Sequence, residues 1–96
     1  MKLTPKQRAT LKGLANPIKD RYLLGKGELD ANIIDMLDKA LEAKELIKVS
    51  LLQNSELDKD EVAEELEKKL NCGIVQTIGR VIVIYRPSKK HKKIVI

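Results

Sequence analysis

A chain of 96 residues supports one domain with a modest core, and its single cysteine, Cys72, excludes an internal disulfide framework. No apolar run approaches the roughly 20 residues of a membrane-spanning helix, and the N-terminus lacks the apolar stretch of a secretory signal, so a soluble protein of the reducing cytosol is expected. The 19 bases and 14 acids leave a net charge of +5, and they are segregated: residues 1–27 carry seven bases and one acid, residues 28–70 six and thirteen, residues 71–96 six and none. That pattern suits a protein that turns one basic face to a polyanion, although solvated lysine-rich flanks would look the same.

Thr4-Pro5 predicts the start of a first helix, because threonine caps well and proline at the next position loses no hydrogen bond. Leu11, Leu14, Ala15 and Ile18 then share one apolar stripe with Gln7 at its edge, and Asn16-Pro17 ends or kinks the helix. Arg8 and Lys12, four residues apart, make the flank beside that stripe basic, and Lys19 joins them if the helical phase survives Pro17. Tyr22-Leu23-Leu24 reads as a short strand that stops at Gly25-Lys26-Gly27-Glu28. Asp30 then opens a second helix over about Ala31 to Lys44, in which Ile33, Ile34, Leu37, Ala40 and Leu41 oppose Asp35, Asp38 and Glu42.

Leu46 to Leu52 follows as a strand, with Ile47, Val49 and Leu51 on one face and Leu46, Lys48, Ser50 and Leu52 on the other. Gln53 to Leu57 is a loop. Asp58 and Glu61 resemble a capping box for a third helix whose buried stripe is Val62, Ala63, Leu66 and Leu70. Lys68 and Lys69 suit that helix's negative end, and Asn71-Cys72-Gly73 terminates it. Ile74 to Ile78 and Val81 to Tyr85 flank Gly79-Arg80 as a tight hairpin. The order is α-β-α-β-α-β-β in one domain spanning 1–96. Strands separated by helices imply parallel pairing, and the hairpin adds an antiparallel one. From about Ser88 the basic tail, with Lys89, Lys90, His91, Lys92 and Lys93, is expected to be mobile. Ile94-Val95-Ile96 either adds an edge strand or packs.

Familiar catalytic chemistry lacks its materials. One histidine in a basic tail and one distant cysteine leave no partners for a triad or metal cage, so no catalytic residue, metal or cofactor is expected. Cys72 reads as a small hydrophobe. The acids of the middle segment fall on polar helix faces and read as solvation. Gly25-Lys26-Gly27-Glu28 is the best functional candidate: glycines admit a ligand close to the backbone, the following helix start presents free N–H groups, and Lys26 adds a mobile positive charge. The alternative is a tight strand-to-helix turn. Only Tyr22 and Tyr85 are aromatic, both inside strand patterns, so contacts to phosphate and shape must dominate over base stacking.

Four blocks, in order, resemble a known family: Leu3 to Arg8 with Leu11 to Ala15, Gly25-Lys26-Gly27, Ala40-Leu41-Glu42 with Glu45 to Val49, and Val75 to Arg80 running to Tyr85-Arg86. They look like the stand-alone bacterial form of the CRM domain, the chloroplast RNA splicing and ribosome maturation module, often called YhbY-like. The resemblance implies an α/β two-layer sandwich with a mixed four-stranded sheet, similar to the C-terminal domain of bacterial initiation factor three. It also implies binding to structured RNA, with bacterial members associating with precursors of the large ribosomal subunit.

The family's GxxG loop maps onto Gly25 to Glu28, where Glu28 replaces the last glycine and brings a negative charge, one that a helix N-terminus itself favours. A second departure is Pro17, with Asp20 where relatives carry a proline before the first strand, which leaves the end of the first helix open. The resulting expectation is a non-catalytic, monomeric RNA-binding protein acting in ribosome assembly, with no membrane or DNA partner. Its contacts would be Gly25, Lys26 and Gly27, flanked by Arg8, Lys12, Lys19 and Arg21, with Arg80 and Arg86 extending the patch. Two rival readings are an adaptor that docks a basic ribosomal protein on the acidic faces of the second and third helices, and a nuclease or RNA-modifying enzyme.

Overall fold

The computed structural model describes residues 1–25, 29–52 and 57–96. Its elements follow the expected order: α1 (Pro5–Ala15), β1 (Tyr22–Leu24), α2 (Ala31–Lys44), β2 (Leu46–Leu51), α3 (Lys59–Leu70), β3 (Gly73–Ile78) and β4 (Val81–Tyr85). The four strands form one sheet in the order β1-β2-β4-β3. β1 runs parallel to β2 through the α2 crossover, and β4 inserts antiparallel between β2 and β3. The α3 crossover therefore leads not to a neighbour of β2 but one strand further, and the tight turn at Gly79-Arg80, with Gly79 at φ +56, folds β4 back into the gap.

Helices cover both faces of the sheet. On one, α2 and α3 bury Leu37, Leu41, Val62 and Leu66 against Ile47, Val49, Leu51, Ile82 and Ile84. On the other, α1 buries Leu11 and Ala15 against Leu46, Val75, Val83 and Tyr85. Alternation along β2 and β4 divides the side chains between the faces, which is why β4 is apolar at every position. Ile74 faces the α2/α3 side and Val75 faces α1, and the bulge between Ile74 and Gln76 leaves Val75 without a partner on β4. At the start of β3, a Cβ on Gly73 would lie 2.7 Å from the Leu3 side chain, so glycine there lets the segment before α1 seat on the sheet.

Two expectations change. Leu14, read as part of the α1 stripe, is 45% exposed, because α1 ends at Ala15 and presents only Leu11 and Ala15 fully to the sheet. The tail from Ser88, read as mobile, is tied down: Ser88 is buried and the backbone of 88–94 donates to carboxylates of α2 and its C-cap. Of the terminal triplet, Ile94 packs into the α1-side core while Val95 is exposed.

Candidate nucleic-acid interface

α1 starts as a full capping box. The Thr4 hydroxyl accepts from the Gln7 N–H at 3.1 Å, and the Gln7 side chain accepts from the Thr4 N–H at 3.0 Å. With Leu11 and Ala15 turned to the sheet, Arg8 and Lys12 are left exposed on the outer side, and neither makes an ion pair with a described residue. Asn16 caps the helix, donating to the Lys12 carbonyl at 3.2 Å. The helical phase therefore stops before Pro17, so Lys19 does not extend the stripe of Arg8 and Lys12. The connection it occupies is pinned instead by Lys48, whose Nζ donates to the Ile18 carbonyl at 2.8 Å.

Arg21 and Gly25, both exposed, bracket β1, roughly 13 Å apart at strand spacing. Lys26, Gly27 and Glu28, the remainder of the proposed loop, lie outside the described residues. Gly25 has no positive φ, and a Cβ there would meet nothing within 4 Å among the described residues. Neither packing nor backbone conformation demands glycine at this position.

Arg80 reaches the same end of the sheet. Leu24 pairs with Leu51, whose N–H donates to the Arg80 carbonyl at 2.8 Å, and an Arg80 guanidinium N–H donates to the Leu52 carbonyl at 3.1 Å. Gly25 and the exposed Arg80 are thus brought together from opposite halves of the chain. The α2 N-terminus begins nearby in sequence with Asp30, whose carboxylate caps the Ile33 N–H at 2.8 Å.

Arg86 is elsewhere and otherwise engaged. Its side chain is largely buried, with Nη1 donating to Asp38 Oδ1 and to the Leu70 carbonyl at 3.0 Å, and Nη2 donating to the Asp38 carbonyl at 3.0 Å. The expectation that it extends an RNA-binding patch is corrected. Arg86 follows β4 on the side covered by α2 and α3, and its two terminal nitrogens are spent on Asp38 and on carbonyls of those helices.

Between α1 and β1 a cleft of about 500 Å³ is lined by Leu14, Pro17, Ile18, Tyr22 and Ile94 with Lys19, Asp20 and Lys44 among its polar groups. The Lys44 ammonium stands 5.3 Å from the Tyr22 ring centroid, within cation–π range. Cys72 is wholly buried, donates to the Leu66 carbonyl, and is pushed up to about 11 by that burial, so it packs as an inert thiol at neutral pH.

The residues that sequence reasoning missed are Glu42, Glu45 and Ser88. Glu42 in the last turn of α2 accepts from the N–H groups of Lys89 at 2.9 Å and Lys90 at 3.2 Å and from the Ser88 hydroxyl. Those hydrogen bonds, the Lys89 amide foremost, hold its carboxyl down to about 2. Glu45, the C-cap, is fully buried and accepts from Ser88 at 2.8 Å, Lys93 at 2.6 Å and Ile94 at 2.9 Å. Burial alone pushes the Glu45 carboxyl up, but the three amides outweigh it and hold it below its ordinary value. One signal was readable: two acids at the negative end of a helix are electrostatically misplaced unless something else holds them.

Comparison with known proteins adds the following. Residues 3–86 match the CRS1 / YhbY (CRM) domain. The chain is 48% identical over 92 residues to the Bacillus subtilis protein named "Probable RNA-binding protein YqeI", covering 96% of both chains. It is 33% identical over 90 residues to a Haemophilus influenzae protein named "RNA-binding protein", covering 94% of this chain and 91% of that one. The solution structure of a hypothetical protein from Staphylococcus aureus superposes with a TM-score of 0.80 at 46% identity, over 98% of each chain.

Proposed function

This chain belongs to the CRS1 / YhbY (CRM) domain family, and from that premise we propose that it is a non-catalytic protein that grips structured RNA by its phosphates. The observation that carries the reading is the exposed basic side of α1 and of the connection after it, against which the C-terminal segment packs through Ile94. α1 with its exposed Arg8 and Lys12, the connection bearing Lys19 and Arg21, and Ile94 of the lysine-rich C-terminal segment all lie on the face of the sheet opposite α2 and α3. The helices on the other face hold the acids.

In this reading Arg8, Lys12 and Arg21 contact phosphates, Gly25 with Lys26 and Gly27 admits the backbone of the RNA, and Arg80 supports the same end. Gly25 supports the assignment because the fold itself makes no demand for glycine there, whereas close approach of a phosphate to the main chain does. The finer role follows the resemblance: association with precursor RNA of the large ribosomal subunit during assembly, by a monomer acting in the cytosol. The relatives named as RNA-binding proteins support the class of partner. The acidic helix faces are partly self-neutralised, by Lys39 with Asp35 and Lys69 with Glu65, which disfavours the adaptor reading.

Filter binding to a structured ribosomal RNA fragment tests the site. Lys12→Ala and Lys26→Ala should each weaken binding to different RNAs alike, because phosphate contacts carry no sequence information. Parent-like affinity in both variants would remove the site. Co-sedimentation with ribosomal subunits that survives nuclease treatment would favour the adaptor instead.

A further inference from the structure

The C-terminal segment is basic yet not loose. Six donors, three from the Ser88 hydroxyl and the Lys89 and Lys90 amides to Glu42, and three from the Ser88, Lys93 and Ile94 amides to Glu45, fix its backbone on the end of α2. The Ser88 hydroxyl also accepts from Lys90 at 3.3 Å and from His91 at 2.9 Å, closing the turn on itself. The strap then passes from the α2 side to the α1 side, where Ile94 joins Leu11, Ala15 and Ile18 in the core and lines the cleft beside Lys19 and Lys44. Its backbone is spent inward on carboxylates, and its lysine side chains are left outward. Lys89, Lys90, Lys92 and Lys93 are all exposed, and none forms an ion pair with a described residue.

We propose that the latched strap 88–94 is a second RNA contact, in which Lys89, Lys90, Lys92 and Lys93 hold phosphates while Glu42 and Glu45 preset the strap's shape. The proposal rests on the RNA-binding reading and adds to it a surface outside the Gly25 end and α1. A free lysine tail must be ordered when it binds, which lowers its affinity; a strap ordered in the folded protein avoids that cost. The oxygens of the two glutamates are turned to the strap's own amides. Glu42 and Glu45 act here as positioning residues, not as contacts.

The sign of one substitution separates this from simple charge counting. Removing an acid from a polyanion-binding protein strengthens binding if only net charge matters. If the latch matters, Glu42→Ala weakens it, by about threefold to tenfold at moderate salt. Affinities for a structured ribosomal RNA fragment would be compared for the full chain, Glu42→Ala, the milder Glu42→Gln, the fourfold lysine variant (K89A, K90A, K92A and K93A), and the fourfold variant combined with Glu42→Ala. Thermal unfolding would establish that each is folded.

The expected result is weaker binding by both Glu42 variants, weaker binding with a shallower salt dependence for the fourfold variant, and no further loss in the combination. Glu42→Ala and Glu42→Gln binding as tightly as the parent or tighter, or losses that simply add in the combination, would overturn the latch. A fourfold variant with parent affinity would overturn the second contact while leaving RNA binding by α1 and the Gly25 end intact. A parent chain that binds no RNA would overturn this inference together with the reading on which it rests.

Discussion

Glu45 takes a positive φ of +67 with ψ −36, and it has no exposed surface. A non-glycine residue there costs about 1–3 kcal/mol of backbone strain, and a buried charge costs more unless it is paired. Both costs are met locally: its N–H donates to Leu41, its carbonyl accepts from Arg86, and its carboxylate accepts three amides. The neighbouring Glu42 yields a pH prediction. Its folded pKa of about 2 lies below the ordinary 4.5, so its contribution to stability is fully present above about pH 4.5 and is lost as pH falls through 2. The amide resonances of Lys89 and Lys90 should therefore titrate with a midpoint near 2; a midpoint near 4.5 would show that those hydrogen bonds are absent in solution. At Gly25 the expectation is a split between stability and binding. Because a methyl meets nothing among the described residues and the φ is not positive, Gly25→Ala should leave the melting temperature unchanged and still weaken RNA binding. A parent-like dissociation constant would count against close approach of RNA at that point.

At the scale of elements, the boundaries were legible because their signals are local. Thr4-Pro5, Asp30 and Asp58 cap the three helices, with the reciprocal capping box at α1 and the Asp58 carboxylate's half of it at α3, and Asn71 ends α3 in the left-handed conformation. The Gly79-Arg80 hairpin also follows from local turn chemistry. What the periodicity of α1 did not convey is which surface it meets, since a stripe of Leu11 and Ala15 fits either face of a sheet. The sign lay in β4, whose unbroken apolar run Val81–Tyr85 marks a strand covered on both sides and hence an inner strand. α1 supplies the cover. Leu11→Ala, at a site with no exposure, should therefore cost about 2–5 kcal/mol, read as a lower urea midpoint at unchanged slope. A loss below about 0.5 kcal/mol, the range of exposed positions, would mean that α1 is not seated on the sheet.

For the molecule as a whole, the exposed bases of α1 and its connection lie across the sheet from the acid-bearing helices α2 and α3, while Arg86, Lys89 and Lys90 of the C-terminal third sit against α2. If about four phosphates are neutralised, the logarithm of the binding constant should fall with the logarithm of salt at a slope of roughly −3. Engagement of the strap as well would steepen it, and a slope near zero would remove phosphate gripping as the mode of binding. The candidate site was legible in part. Arg8, Lys12 and Arg21 stand exposed as read, and Gly25 and Arg80 meet at one end of the sheet. Arg86 and the tail were misread for one shared reason: composition shows how many charges a segment carries, not which backbone groups and carboxylates lie within reach of it once folded.

The sequence by itself determined the elements, their caps and their apolar stripes, because each depends on residues within a turn or two of one another, and it carried the imbalance of charge along the chain. Only the tertiary structure decided that β4 slots between β2 and β3, that α1 takes the face opposite α2 and α3, that Arg86 serves Asp38 and Leu70, and that Glu42 and Glu45 hold the tail. The last two join groups 16 to 49 residues apart, and α1 packs on strands that lie further still along the chain. Their geometry arises from packing and from the need to satisfy buried polar groups, conditions that no local pattern encodes.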